Sequence, residues 1–311
     1  MLSVLFHRES PVKMCRPLLA VFAAGCLVAG AARAADDTFD SDGVKIRYVT
    51  EGEGEAVVLI HGWMSDSGMW GKGKDGETKL DTKDAPGFRA IALDCRGHGK
   101  SDKPHDQKKY GAAMADDVVR LLDHLKIKKA HLVGYSSGAF IAGKLAATHP
   151  DRVLSVVYAG QAPLVVEARG KPTGEPSEVE VFAKAVEEGK GLGAYLMAVW
   201  PADKPKPTQE QADLLAKILY GGKDHKAFAA AGLSFGELEV TEEQLKKCKA
   251  PILFVHGANE SDLVKDRVKR VHKLLDRGEV KTIVGGDHVT TLAKPEFATT
   301  INDFLKANKT K

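Results

Sequence analysis

The sequence predicts an α/β protein: a mostly parallel, doubly wound sheet with a block of helices inserted late in the chain. Three observations carry that expectation. Apolar runs of strand length alternate with helix-spaced segments from Val44 to Tyr158, the order expected of a parallel sheet covered on both faces. Strand composition then disappears between residues 162 and 249 and returns at Pro251. Finally, a short strand runs directly into the Gly-bounded turn Gly134-Tyr135-Ser136-Ser137-Gly138, and a helix follows it.

The first 34 residues read as an export leader. Lys13 and Arg16 precede the apolar stretch Leu18 to Gly30, and Ala32-Arg33-Ala34 places small residues where a signal peptidase reads them. The apolar stretch is about 13 residues, short for a bilayer span. Cleavage is expected after Ala34, which makes the mature protein periplasmic or extracellular. A retained N-terminal anchor is the competing reading, and Ala23-Ala24-Gly25-Cys26 loosely resembles a lipobox that would attach lipid at Cys26. Either Met1 or Met14 can serve as the start.

The chain has a formal charge of +3, but the leader holds Arg8, Lys13, Arg16 and Arg33 against Glu9 alone, so the remainder is balanced. Neither a nucleic-acid partner nor a membrane surface is indicated once the leader is gone. Of the four cysteines, Cys95 and Cys248 remain after cleavage, too few for a disulfide framework, and two separate buried thiols are expected. No metal-ligand spacing involves them, and neither a metal nor a cofactor is expected.

Along the chain, Val44 to Thr50 alternates and Val57 to Ile60 is continuously apolar, so two early strands are expected. Phe88 to Leu93 predicts a third strand. Val118, Leu121, Leu122 and Leu125 share one face of a helix over 112–125. A strand over 130–133, a helix over 139–148 ended by His149-Pro150, and a strand over 153–158 follow. Within 162–249, helices are expected at 179–188, 209–220 and 241–247, with Pro201, Pro205 and Pro207 marking a loop. A strand at 251–256, a helix at 262–276, a strand at 280–284 and a helix at 295–306 complete the pattern. The division is therefore leader 1–34, core 35–161 with 250–311, and helical insert 162–249.

Four segments carry chemistry. Ser136 sits on a sharp strand-to-helix turn whose glycines stand two residues to either side, so that the turn can close, and the helix behind it offers free N–H groups. Ser137 is the rival nucleophile, but only Ser136 has glycine at both positions. His61-Gly62-Trp63 leaves the apolar run 57–60, where the N–H of Trp63 can join that of Ser137 as a two-donor oxyanion hole. His288, in Gly285-Gly286-Asp287-His288, follows the last strand and is the candidate base. The loop Gly257-Ala258-Asn259-Glu260-Ser261-Asp262 supplies the candidate acid, either Glu260 or Asp262.

In that order, serine, acid and histidine resemble the α/β-hydrolase superfamily over nearly all of the chain after the leader. Asp94-Cys95-Arg96-Gly97-His98-Gly99-Lys100-Ser101 closely matches that family's Asp-x-Arg-Gly-x-Gly-x-Ser loop, which is architectural there. The family's Gly-x-x-Asp after the acid strand lands on Glu260, which makes Glu260 the first choice and Asp262 the second. The resemblance implies the α/β-hydrolase fold with a helical lid inserted before the acid-bearing strand. It also implies two-step acyl transfer on a small-molecule acyl substrate. Carbon–carbon bond hydrolases, acyltransferases and haloperoxidase-like members share the same residues, and a non-catalytic ligand-binding protein of this fold is the rival from another class. Phe182, Tyr195, Met197, Trp200 and Phe235 are the candidate pocket residues of the lid.

Overall fold

The computed structural model describes residues 35–71, 87–170, 177–189, 191–198 and 205–310. The expected leader, with Met14 and Cys26, and the candidate pocket residue Trp200 lie outside the described residues.

Eight strands form one sheet: β1 (Ala35–Asp40), β2 (Lys45–Gly52), β3 (Glu55–Ile60), β4 (Phe88–Leu93), β5 (Ala130–Tyr135), β6 (Val153–Ala159), β7 (Ile252–Gly257) and β8 (Glu279–Ile283). Their spatial order is β1-β2-β4-β3-β5-β6-β7-β8. β1 pairs antiparallel with β2, and β2 antiparallel with β4, while every later pairing is parallel. β1 is absent from the sequence reading for a physical reason. Its segment Ala-Asp-Asp-Thr-Phe-Asp has no apolar alternation, and Phe39 is its one large apolar side chain. It is an edge strand held by its ladder to β2 and by the burial of Phe39.

Period-two alternation divides the inner strands cleanly between two cores. Val58, Ile60, Leu132, Val156 and Phe254 face one side, where they meet α1 (Ala112–His124), α2 (Ser137–Thr148) and α8 (Asp262–Leu275). Val57, Leu59, Val133, Val157 and Val255 face the other side and are covered by Phe297, Ile301, Phe304 and Leu305 of α9 (Pro295–Ala307). Strands buried on both faces read as continuous apolar runs, which is why Val57 to Ile60 was conspicuous.

Between β6 and β7 the chain forms α3 (Glu178–Glu187), α4 (Leu192–Ala198), α5 (Gln209–Tyr220), α6 (His225–Leu233) and α7 (Glu242–Lys247). An isolated parallel bridge joins Val165 to Val240, so the chain enters and leaves this helical segment side by side. The segment has a small core of its own, in which Phe182, Tyr195, Leu196 and Phe228 pack with Met64 from the loop after β3. Helix α7, grouped with the insert from the sequence, instead buries Leu245 in the core beneath the sheet. Among the described residues, no helix is long and apolar enough to cross a membrane. Cys95 and Cys248 are both buried and unpaired.

The Asp94–Ser101 loop is a fastener. The Asp94 carboxylate accepts from the amides of Ser67 and Lys100, each at 2.8 Å. Ser101 donates to the Asp94 carbonyl at 2.6 Å and accepts from the amide of Arg47 at 2.8 Å. Arg96 grips Asp117 of α1 through two hydrogen bonds, at 2.7 and 2.5 Å, with side-chain exposures of 3% and 1%. Removing one partner of such a buried pair strands the other charge. Asp117→Ala is therefore expected to destabilise the fold by about 3–5 kcal/mol, read as a lower denaturant midpoint. A loss below about 1 kcal/mol would show that Arg96 is satisfied without Asp117.

Candidate active site

The turn at Ser136 is built by its neighbours. Ser136 has φ 54 and ψ −121, the left-handed side of the map, where a non-glycine residue is strained by about 1–3 kcal/mol. The strain is held by bonds on both sides: Ser136 donates its amide to the Ala159 carbonyl at 2.8 Å, and Ala139 donates to the Ser136 carbonyl at 2.9 Å. The flanking glycines have specific reasons. A Cβ on Gly134 would strike the Gly138 carbonyl, and a Cβ on Gly138 would strike the Ile60 carbonyl of β3. The spacing of two on each side is thus a packing requirement of a helix brought hard against the sheet.

Two loops deliver the other groups. Asn259 donates its amide to the Gly286 carbonyl at 2.8 Å, which ties the loop after β7 to the loop after β8. Asp287 caps the second loop by accepting from the amides of Val289 and Thr290 at 2.9 and 2.8 Å. The hydroxyl of Tyr135, next to the serine, donates to the His288 carbonyl at 2.6 Å. Nothing in the sequence signals that tether, since position two of the pentapeptide accepts any residue.

His288 lies between Ser136 and Glu260. Its Nε2 is 3.0 Å from Ser136 Oγ, and its Nδ1 is 2.9 Å from Glu260 Oε1. The Glu260 side chain is 1% exposed. With Glu260 ionised, Nδ1 carries the proton and the Nε2 lone pair faces the serine hydroxyl. Burial alone would push the His288 pKa down, but the hydrogen bond and charge of Glu260 outweigh it, and the net direction is above 6.5. Asp262 does not reach the histidine. Its side chain is 95% exposed on the first turn of α8, where it pairs with Lys265 at 3.0 Å.

The amides of Trp63 and Ser137 have no acceptor among the described residues. Gly62 lies against the serine, since a Cβ there would be 3.1 Å from Ser136 Cβ. His61 holds that loop in place. Its Nε2 accepts the Cys95 amide at 3.0 Å, and its Nδ1 therefore donates to the Gly62 carbonyl at 2.7 Å. Burial pulls the His61 pKa down, so it stays neutral in this scaffolding role.

Ser136 and His288 open into a cavity of about 1200 Å³ lined in part by Trp63, Phe140 and Phe235. Of the candidate pocket residues, Phe235 lines this cavity, and Met197 is half-buried. Phe182 and Tyr195 are instead spent on the insert's own core, because a small helical unit must bury its largest aromatics to hold together.

The family model for the alpha/beta hydrolase fold matches residues 55–295. The chain belongs to that family. The hydrolase is 27% identical over 278 residues to a putative 2-succinyl-6-hydroxy-2,4-cyclohexadiene-1-carboxylate synthase of Bacillus subtilis, covering 85% of this chain and 96% of that protein. It is 28% identical over 280 residues to a non-heme chloroperoxidase of Kitasatospora aureofaciens, covering 85% and 97%. Among solved structures, a carboxylesterase of the thaumarchaeon Nitrososphaera gargenis superposes with TM-score 0.68 at 23% identity, covering 88% of this chain and 98% of that one. A bromoperoxidase of Bacillus anthracis gives the same TM-score at 24% identity, covering 88% and 100%. Such likeness fixes the fold of the hydrolase, while its chemistry rests on the side chains that line the cavity. Among the described residues, no cluster of histidine, cysteine and carboxylate side chains forms a metal site.

Proposed function

We propose that this hydrolase cleaves an ester or similar acyl bond of a small molecule through a covalent acyl-enzyme. The observation that carries the reading is the chain of hydrogen bonds Ser136–His288–Glu260 opening into the large cavity. His288 takes the Ser136 proton as Oγ attacks the carbonyl carbon, and Glu260 holds the ring and balances the imidazolium. The oxyanion of the tetrahedral intermediate is received by the amides of Trp63 and Ser137, each donor contributing about 2.7–4 kcal/mol in comparable sites. The proton on His288 passes to the departing alcohol. A water activated by the same imidazole then releases the acid and restores the serine. A serine at the turn argues against epoxide or haloalkane hydrolysis, which the family performs with aspartate there. The helical insert roofs this site as its lid in the same reading.

The test is covalent labelling. A fluorophosphonate probe is expected to modify the peptide containing Ser136 and to stop hydrolysis of short 4-nitrophenyl esters. A protein that stays unlabelled, with no ester turnover, would be a binder and not a serine hydrolase.

The leader supports export, with cleavage after Ala34, so that β1 begins the mature chain at Ala35. N-terminal sequencing of the protein released by osmotic shock is expected to start at Ala35. A lipidated Cys26, or an intact leader in the membrane fraction, would replace that reading.

A further inference from the structure

Among the described residues, several arginines close on a carboxylate, although Arg89, Arg120 and Arg277 do not. Arg47 pairs with Asp36 and Asp94, Arg96 with Asp117, Arg152 with Asp123, and Arg169 with Glu239. Arg267, on the cavity-facing side of α8, does not. It lines the same cavity as Ser136 and His288. Its Nη1 donates to Gln161 Oε1 at 2.9 Å, and its guanidinium carbon lies 5.6 Å from the centre of the Phe140 ring. Gln161 is itself buried, at the carboxyl end of β6 just past Gly160. Among the described residues, no acidic side chain is within ion-pair distance of Arg267, and one of its five N–H donors is used.

A guanidinium cannot shed its proton to escape this setting. Burial, together with the nearby charge of Arg270, pulls the Arg267 pKa below its ordinary value. Burial acts on Arg96 too, but there Asp117 more than offsets it. The carboxylates that share the cavity wall are already committed. Glu260 serves His288, Glu178 accepts from the Tyr195 hydroxyl at 2.5 Å, and Asp287 caps its own loop. Phe140, in the first turn of α2, lines that cavity together with Ser136. The stacked cation and the nucleophile are thus within reach of one small ligand.

We infer that Arg267, positioned by Gln161 and Phe140, is an anion-binding residue of the substrate pocket, and that the preferred substrate is an ester bearing a free carboxylate remote from the bond cleaved. The inference rests on Ser136 being the nucleophile and names the substrate class for it. If the carboxylate is on the acyl side, water and a monoester of a dicarboxylic acid give a dicarboxylic acid and an alcohol. A planar fork stacked on an aromatic face suits a carboxylate, which it can hold by two parallel hydrogen bonds.

The experiment measures a ratio of kcat/KM values in one enzyme preparation, so that changes in folded fraction cancel. In one arm, the 4-nitrophenyl monoester of adipic acid is compared with the same compound as its methyl ester. In the other, 4-acetoxybenzoate is compared with methyl 4-acetoxybenzoate, which moves the carboxylate to the leaving group. The wild type is expected to favour the acid in one arm by about ten- to a hundredfold. Arg267→Met is expected to bring that ratio to within about threefold of unity, and Arg267→Lys to leave it between the two. A wild-type ratio near one in both arms, with neutral esters hydrolysed, overturns this inference and leaves the hydrolase reading standing. A preference that survives in R267M overturns it as well. If no ester is turned over, the hydrolase reading fails, and titration calorimetry with adipate decides the anion site, since equal binding by wild type and R267M, or none, refutes it.

Discussion

Ser136→Ala is expected to lower kcat on a short 4-nitrophenyl ester by about 10⁴- to 10⁶-fold while leaving the fold intact. The loss should be that large because serine, histidine and carboxylate act as a unit, and without Oγ the other two have nothing to activate. The fold should survive because alanine keeps the Cβ, so the strained backbone at φ 54 is unchanged, and the one hydrogen bond removed runs to half-exposed His288. A melting temperature close to wild type beside collapsed turnover separates chemistry from stability. Ser137→Ala provides the internal comparison. Ser137 contributes its backbone amide at the first turn of α2, so that variant is expected to remain active. Activity that follows Ser137 and not Ser136 would reassign the nucleophile.

Glu260→Gln should be nearly as damaging, about 10⁴-fold in kcat, although it preserves shape. A glutamine amide turned toward Nδ1 donates a hydrogen bond, which favours the tautomer with its proton on Nε2, and that nitrogen then cannot take the serine proton. The pH profile offers a second readout with a definite sign. In the proposed mechanism the base is neutral imidazole, so kcat/KM is expected to rise with pH through the His288 pKa. Burial lowers that pKa and Glu260 more than reverses it, which puts the acid limb of the wild type above 6.5. Losing the carboxylate charge should move the limb of the residual activity to lower pH. Asp262→Asn should move neither the rate nor the limb, because that side chain points into solvent. An acid limb unmoved in Glu260→Gln would mean that another group orients His288.

The inner sheet was legible because its strands are buried on both sides and advertise it as unbroken apolar runs. The N-terminal edge was not, because β1 carries three aspartates among six residues and Phe39 is its one large apolar side chain. Helices α4 and α6 were missed for the opposite reason. In α6, residues 227–232 are consecutively buried, so no amphipathic period survives to be read. At the site, the turn at Ser136 and the His288 loop were visible because glycine requirements leave a signature in the sequence. Family spacing put Glu260 ahead of Asp262, and what only the structure adds is direction: Glu260 hydrogen-bonds to His288 while Asp262 faces solvent. Arg267 was illegible. Within Asp-Leu-Val-Lys-Asp-Arg-Val-Lys-Arg it is one charge among six on a helix, and only the cavity beside it and the missing partner set it apart.

The parallel bridge between Val165 and Val240 has a consequence for how this protein can change over evolutionary time. Val166 donates to the Val240 carbonyl at 3.0 Å, and Val240 donates to the Leu164 carbonyl at 2.9 Å, so the stem is closed before any helix of the insert begins. Whatever lies between those residues is a cassette on a fixed socket. It can be lengthened, shortened or exchanged at a modest cost in loop closure, because neither strand order nor register depends on its content. A lineage can in this way alter what enters the cavity from above while inheriting the serine, the histidine and the acid unchanged from below.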